Sequence, residues 1–352
     1  MDTEINLSPE PEKKLPENKF NLKQILEKAP LRLITQVFIV AIMFYAAWNF
    51  YGFYQYVQGN IGSSNPYRPP VVEGFLPIAA LVAFKAMLAT WTIDPIHPAG
   101  LVIFIAILLT AWIFRRALCS WICPIGTLSE YLGKLGKKTM GDNIKIPRWL
   151  DIILLTLKYG LFIYIFRLFI LLPAQQAISF MQIPYYTISD IKMFEFFLKL
   201  SMEGIAFIGL FMMLSFLFKS FFCRYVCPYG ALLGIFGIFS PIVLKKNDDN
   251  CIKCDRCNKV CPNRVNVMDK KIAVISTECT GCTSCVTACP KENTLEFKLF
   301  GVIPMKPLSF SLGFIAVFFG IIILAILTGH WDSTANLTDY QNIYQMMPPG
   351  GF

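Results

Sequence analysis

The stretch that decides the reading is Cys251-Ile-Lys-Cys254-Asp-Arg-Cys257-Asn-Lys-Val-Cys261-Pro262, repeated in the same frame as Cys279-Thr-Gly-Cys282-Thr-Ser-Cys285-Val-Thr-Ala-Cys289-Pro290. Three thiolates spaced two residues apart reach three corners of a cubane, and the fourth, set by a Cys-Pro turn, reaches the neighbouring cluster. That logic assigns Cys251, Cys254, Cys257 and Cys289 to a first 4Fe–4S cluster. Cys279, Cys282, Cys285 and Cys261 take the second. A structural zinc site is the alternative, because C-x-x-C alone does not distinguish the metals; two tandem runs with both Cys-Pro endings favour iron and sulfide. Gly281 and Pro262 suit the tight turns that bring backbone N–H groups toward sulfur.

Outside this stretch the chain is far from a soluble ferredoxin. Of its 352 residues 55% are hydrophobic and only 16% charged, with mean hydropathy +0.53. A soluble domain carries about 25% charged residues. This composition excludes a disordered chain and argues against a soluble enzyme, and apolar runs near twenty residues point to a polytopic membrane protein. The net charge of +9 is no nucleic-acid footprint. Of 32 Lys and Arg, six precede the first apolar run, seven fall in 115–149 and thirteen in 219–306. Two fall in 52–98, two in 173–202 and none after 329. That alternation is the positive-inside pattern.

Residues 1–32 are polar and read as a cytoplasmic N-terminal tail, with no signal-peptide pattern after them. Residues 33–244 read as a membrane domain, 245–306 as a cytoplasmic α+β ferredoxin-like insert, 307–328 as a last span and 329–352 as an external tail. The expected spans are Leu33–Tyr51, Ala99–Leu118, Leu150–Leu172, Glu203–Phe222 and Leu308–Thr328. Trp48, Tyr51, Tyr54 and Tyr56 suit a membrane interface. Leu76–Trp91 is too short for a core of roughly 30 Å and reads as a re-entrant helix. The expected fold is thus an all-α polytopic membrane protein of about five transmembrane helices plus a re-entrant segment.

An internal repeat lies within the membrane domain. Arg115–Gly126 reads RRALCSWICPIG and Lys219–Gly230 reads KSFFCRYVCPYG, in the shared frame C-x-x-x-C-P-x-G-x-L. Two matching helix ends of one direction imply a pseudo-twofold arrangement. Their cysteines, Cys119, Cys123, Cys223 and Cys227, could be buried apolar residues or disulfides, which a reducing compartment disfavours. A thiol relay, or copper on soft thiolates, is a further option. Twelve cysteines make three sets of four, so the expectation is a third iron–sulfur cluster bridging the pseudo-twofold axis.

These motifs together give a specific resemblance. Two C-x-x-x-C-P frames followed by a two-cluster insert that resembles bacterial ferredoxins, with "RPPVVEGFLPI", "DPIHPAG" and "CSWICPIGTLSE", look like the NapH/NosR/CcoG group of membrane polyferredoxins over about residues 30–330. The resemblance implies electron transfer between the membrane quinone pool and a protein redox partner, as a quinol dehydrogenase-type subunit of a larger respiratory complex in the bacterial plasma membrane. For the CcoG-like branch it implies copper reduction in oxidase assembly; a redox-sensing structural subunit is the third reading. The chain departs from NosR-like and CcoG-like members in showing no large flavin-carrying or immunoglobulin-like external domain. It departs from NapH-like members in carrying a span after the insert. The segment ending at Met346-Met347 matches none of them.

Charged residues in apolar segments are costly and usually paired or functional. Lys85 and Lys158 are candidates to tune an anionic cluster, whereas Arg167, five residues from a helix end, can snorkel. Only two histidines exist, His97 and His330, on different segments read as external. A haem held by the two is one option. His97 with Asp94 suits quinol oxidation better, because quinol must lose two protons and such a pair can take them. Capping of the helix that starts near Pro98 is the plainer role for Asp94 and His97.

Overall fold

The computed structural model describes residues 30–60, 66–144, 146–270 and 273–347. Almost all of the 1–32 tail, and residues 348–352 of the C-terminal one, lie outside the described residues. Helix α1 spans Pro30–Val57, α2 Pro77–Thr90, α3 Pro98–Phe114, α4 Leu118–Trp121, α5 Pro124–Met140 and α6 Arg148–Leu171. Short helices α7 (Ala174–Met181), α8 (Pro184–Thr187) and α9 (Ser189–Leu198) lead to α10, Met202–Leu217, and α11, Pro228–Ile238. The insert contributes β1 (Ile242–Lys246), α12 (Arg256–Val260), β2 (Ala273–Val274), α13 (Ser284–Thr287), β3 (Leu295–Leu299) and β4 (Ile303–Met305). Helices α14, Pro307–Leu327, and α15, Leu337–Met346, follow. Proline opens α2, α3, α5, α11 and α14, where its missing N–H costs nothing and its fixed φ fits the first turn.

Three helices, α1, α6 and α14, are long and apolar enough to cross a membrane, and α9 with α10, bent by 82°, would make a fourth. The expected spans at 99–118 and 203–222 are realised as α3 and α10, of 17 and 16 residues. At 1.5 Å per residue each covers about 25 Å, short of a full hydrocarbon core. The expected re-entrant segment is α2, a 14-residue helix, apolar but for Lys85 and Thr90, ended by Trp91 in the left-handed region. α1 runs one and a half turns past Tyr51. Trp48 and Tyr51 face outward as expected of an interface, but Tyr54 is buried against Phe194 and Tyr344.

The repeats pack crosswise. The helix before the first cysteine pair, α3, packs on α11, which follows the second pair; α10, before the second pair, packs on α5, which follows the first. Glycines allow both crossings: a Cβ at Gly136 would overlap the Phe216 carbonyl, and one at Gly237 would meet Arg115 Cα at 3.3 Å.

The insert forms an antiparallel sheet in the order β2-β1-β3-β4, with Leu244 opposite both Val274 and Phe297. It does not stand off from the helices. One continuous core runs from Ile103, Phe114 and Trp121 through Phe310 and Phe314 to Val265, Val274 and Phe297. Phe310 at the start of α14 stacks on Phe297 of β3 at 4.6 Å and meets Phe114 of α3 edge-on at 5.5 Å. A second core at the far end joins α1 (Phe50, Phe53, Tyr54) to Ile188, Ile191 and Tyr340 of α15.

Candidate functional site

Cys251, Cys254, Cys257 and Cys289 line one cavity, together with Lys246, Arg256 and Lys291. Cys261, Cys279, Cys282 and Cys285 face one another: burial, then Cys282 and Cys279, push the Cys261 thiol up to about 12. Burial and the same neighbours raise Cys285 well above its ordinary value. The Val265 N–H donates to Cys261 Sγ at 3.3 Å. Gly281 sits at φ +55°, and a Cβ there would meet Phe310 at 2.9 Å, so only glycine lets this cysteine loop approach the helices so closely. Trp121 Nε1 of α4 donates to the Gly281 carbonyl at 3.3 Å, and Arg32 of α1 reaches Ser284. The second quartet therefore faces the helices, and the first lies at an open cavity.

The four remaining cysteines also converge. Cys119 lies in α4, and Cys223 in a π-turn over Phe222–Val226; Cys123 and Cys227 are the residues before α5 and α11. Burial, then Cys119, pushes the Cys123 thiol up to about 12, with Cys227 contributing; burial, Cys123, Cys119 and Cys227 raise Cys223. The shared glycine has a steric cause. A Cβ at Gly126 would overlap the Cys119 carbonyl oxygen, and one at Gly230 would lie 3.3 Å from the Cys223 carbonyl and 2.6 Å from Arg116 Nη2. Each glycine also turns backbone N–H groups toward the second cysteine: Gly230 N donates to Cys227 Sγ at 3.3 Å, and the Gly126 and Ile125 N–H groups serve Cys123. Cys223 is buried and the other three cysteines are partly exposed. Among the described residues no three His, Cys, Asp or Glu side chains close on a single metal ion. An all-thiol donor set of this kind, with N–H groups aimed at sulfur, fits an iron–sulfur cluster.

Between this quartet and the insert lies a buried ion network. Arg116 Nη1 bonds Glu278 Oε2 at 2.9 Å, its Nη2 donates to the Cys223 carbonyl at 2.7 Å and its Nε to Cys119 Sγ at 3.4 Å. Glu278 is the residue before Cys279, and its other oxygen takes Lys158 Nζ and, at 3.2 Å, Tyr159 Oη. Burial would raise the Glu278 carboxyl, but Arg116 and Lys158 hold it below the usual range. Lys158 is the one buried residue recorded on α6, a helix whose other described residues are at least partly exposed. Arg115, at φ +60°, turns its guanidinium to the Val274 carbonyl of β2, and Arg224 pairs Asp151 and bonds the Asn263 carbonyl. Sequence reasoning singled out Lys158 but missed Glu278 and Arg116; an acid directly before a cluster cysteine was the available signal.

Asp94 and His97 lie at the opposite end, and they bracket Tyr186 rather than touch. Asp94 accepts from Tyr186 Oη and, at 2.8 Å, from Ile96 N. His97 Nε2 donates to the Tyr186 carbonyl at 2.7 Å. His97 precedes α3 without a side-chain capping bond. Its Nδ1 lies 3.3 Å from Glu73 Oε1 and 3.1 Å from Arg68 Nη2, and Arg68 itself pairs Glu73 at 2.7 Å and Asp190 at 2.6 Å. Glu73 and Asp190 are fully buried, and Tyr340 of α15 faces the Arg68 guanidinium at 5.4 Å. Arg68, Glu73, Asp190 and Tyr186 were not legible as a cluster, because no spacing in the chain links them. Lys85 sits elsewhere, donating to the Phe169 and Ile170 carbonyls at the end of α6, where it satisfies a helix C-terminus. Arg167 is exposed, as a snorkelling residue is.

Residues 96–141 and 200–246, the two repeats, match the family described as "4Fe-4S binding domain", and residues 243–290 match "4Fe-4S dicluster domain". The putative electron transport protein YccM of Escherichia coli (strain K12) is 34% identical over 328 residues, 90% of each chain. The chain belongs to the membrane polyferredoxins. Within the polyferredoxins it is also similar to the ferredoxin-type protein NapH of E. coli, at 21% identity over 74% of this chain and 86% of that one. Similarity to the regulatory protein NosR of Pseudomonas aeruginosa, at 25%, covers 49% of this chain and 23% of that one. No solved structure matches this polyferredoxin.

Proposed function

We propose that this chain is a membrane-bound electron-transfer protein that passes electrons between the quinone pool and a protein redox partner, as a quinol dehydrogenase-type subunit. The observation that carries the reading is the crosswise packing of the two repeats, which gathers Cys119, Cys123, Cys223 and Cys227 beside the second quartet of the insert. Bound at each quartet, a 4Fe–4S cluster supplies one-electron chemistry at a potential that burial and hydrogen bonds to sulfur adjust. The protein's share is ligation, spacing and charge. Cys251, Cys254, Cys257 and Cys289, at the open cavity, hold the cluster that meets a soluble partner. Cys261, Cys279, Cys282 and Cys285 hold the middle one, and the membrane-edge quartet holds the third.

At the far end, Asp94 and His97 with Tyr186 between them supply the quinol site, Asp94 as the proton acceptor and His97, held by Glu73 and the Tyr186 carbonyl, as a fixed cation beside it. Five spans, with α2 re-entrant, place the insert in the cytoplasm and α15 outside the bacterial plasma membrane, as the arginine and lysine distribution supports.

Iron and acid-labile sulfide in anaerobically purified protein, with rapid mixing against menaquinol, test the reading. Twelve irons per chain and reduction by menaquinol are expected. Eight irons with four alkylatable thiols at Cys119, Cys123, Cys223 and Cys227 would remove the third cluster. Clusters reduced by dithionite but never by menaquinol would remove the quinone reading. Cys119→Ser and Cys223→Ser should each cost four irons.

A further inference from the structure

We infer that Arg116 is the positioning residue that joins the membrane-edge thiol quartet to the nearer quartet of the insert and raises the reduction potential of the group held by Cys119, Cys123, Cys223 and Cys227. The inference rests on the proposed third cluster and adds to it the residue that sets its poise.

Three faces of one guanidinium are each used. Nε points at Cys119 Sγ of the first repeat, Nη2 at the Cys223 carbonyl of the second, and Nη1 at Glu278 and, at 3.4 Å, the Thr277 carbonyl, beside Cys279. Only arginine carries donors in a planar fork able to serve three acceptors in different directions. The room for it is built in, since a Cβ at Gly230 would come within 2.6 Å of Nη2.

The repeat breaks its symmetry at this position. In the shared frame Arg116 aligns with Ser220, so one guanidinium serves both cysteine pairs and stands on the side that faces the insert. The neighbouring cations point elsewhere: Arg115 at the neutral Val274 carbonyl of β2, and Arg224 at Asp151 and the Asn263 carbonyl. At the junction two cations, Arg116 and Lys158, face one carboxylate, which leaves one positive charge uncompensated next to the quartet. Arg116 is 1% exposed, so water and salt screen it little. A reduced cluster carries one more negative charge than its oxidised form and is favoured more strongly by a fixed cation.

The test is an EPR-monitored redox titration of the full-length protein, prepared anaerobically in mild detergent, with iron counted in every sample. Arg116→Gln should keep its iron and disfavour the reduced state of one couple on the order of tenfold, a negative shift of about 59 mV for one electron. The couple of the first quartet should stay in place, and that of the second, whose Thr277 and Glu278 also meet Arg116, should move less. Arg116→Lys should recover part of the shift. Gly230→Ala keeps the charge but displaces Nη2, and should move the same couple by less in the same direction; it decides the matter if Arg116→Gln does not fold. Unmoved potentials at full iron content, or equal shifts in every couple, would overturn the role of Arg116 alone. Eight irons in the unmutated chain would instead remove the third cluster, and this inference with it.

Discussion

At the residue scale, two glycines and one histidine carry the sharpest consequences. Gly126 and Gly230 hold equivalent places in the repeat, and each brings the first turn of a helix against the carbonyl of the preceding cysteine. Backbone cannot yield as a side-chain tip can, so Gly126→Ala should destabilise the fold by about 3 kcal/mol and lower iron content. Gly160→Ala on α6, where a Cβ meets nothing within 4 Å, is the matched control and should keep the iron content and lose no stability. Iron per chain and detergent melting curves read the difference.

His97 gives the pH dependence. Burial lowers its pKa, but the hydrogen bond and charge of Glu73, with Asp190, outweigh burial and the opposing Arg68, so the imidazole stays protonated above its ordinary 6.5. Tyr186, Asp94 and Tyr340 complete its charged and titratable surroundings. A raised folded value means that the stabilisation is fully present below about pH 6.5 and fades as pH climbs through the raised value. Melting of His97→Gln against the unmutated protein, from about pH 5.5 to 9, should show a gap that narrows with rising pH; a gap that widens would contradict this charge assignment.

At the scale of elements, the structure explains why hydropathy located the helices better than it measured them. The apolar run of α3 stops at Arg115-Arg116, and Arg115 takes a positive φ that ends the helix at Phe114, four residues short of the expected Leu118, so that the chain turns to place Cys119. The two arginines mark that turn in the hydropathy profile, but not its left-handed geometry. The cysteines, by contrast, were legible because their chemistry demands fixed spacing, and the Pro and Gly of the repeat because the helix start demands them.

The sequence reading assigned no elements to the segment 172–202 or to the tail, where the chain forms the short helices α7, α8, α9 and α15. Helix α15 carries a capping box, Asn336 with Asp339, and packs on α1 through Tyr340, which Phe53 meets edge-on at 5.4 Å. Tyr340→Ala should cost about 3 kcal/mol by cavity formation and uncover Arg68, while leaving iron content as it was. A melting shift with full iron supports the separation of the two ends; lost iron would show that α15 supports the clusters too.

At the scale of the whole molecule, the membrane helices and the insert share one core, so the insert is a part of the fold rather than a tethered ferredoxin. The sequence boundaries at 245 and 306 mark a change in composition, and composition does not report which faces meet. Phe297 lies on β3 and Phe310 on α14, yet they stack, and Trp121 holds the loop of the second quartet from α4. Three arginines, Arg115, Arg116 and Arg224, fix the insert's backbone carbonyls from the helix side.

These contacts fall on the half of the insert that carries Cys261, Cys279, Cys282 and Cys285, whereas Cys251, Cys254, Cys257 and Cys289 line the open cavity. A fragment of residues 242–306 would expose Val265, Val274 and Phe297 and lose every arginine anchor. Reconstituted anaerobically, it should lose the cluster of the second quartet faster than that of the first, which absorbance decay and EPR of the residual signal would follow. In the full chain the two should persist together. Equal lifetimes in the fragment would mean that the shared core does not support the second quartet.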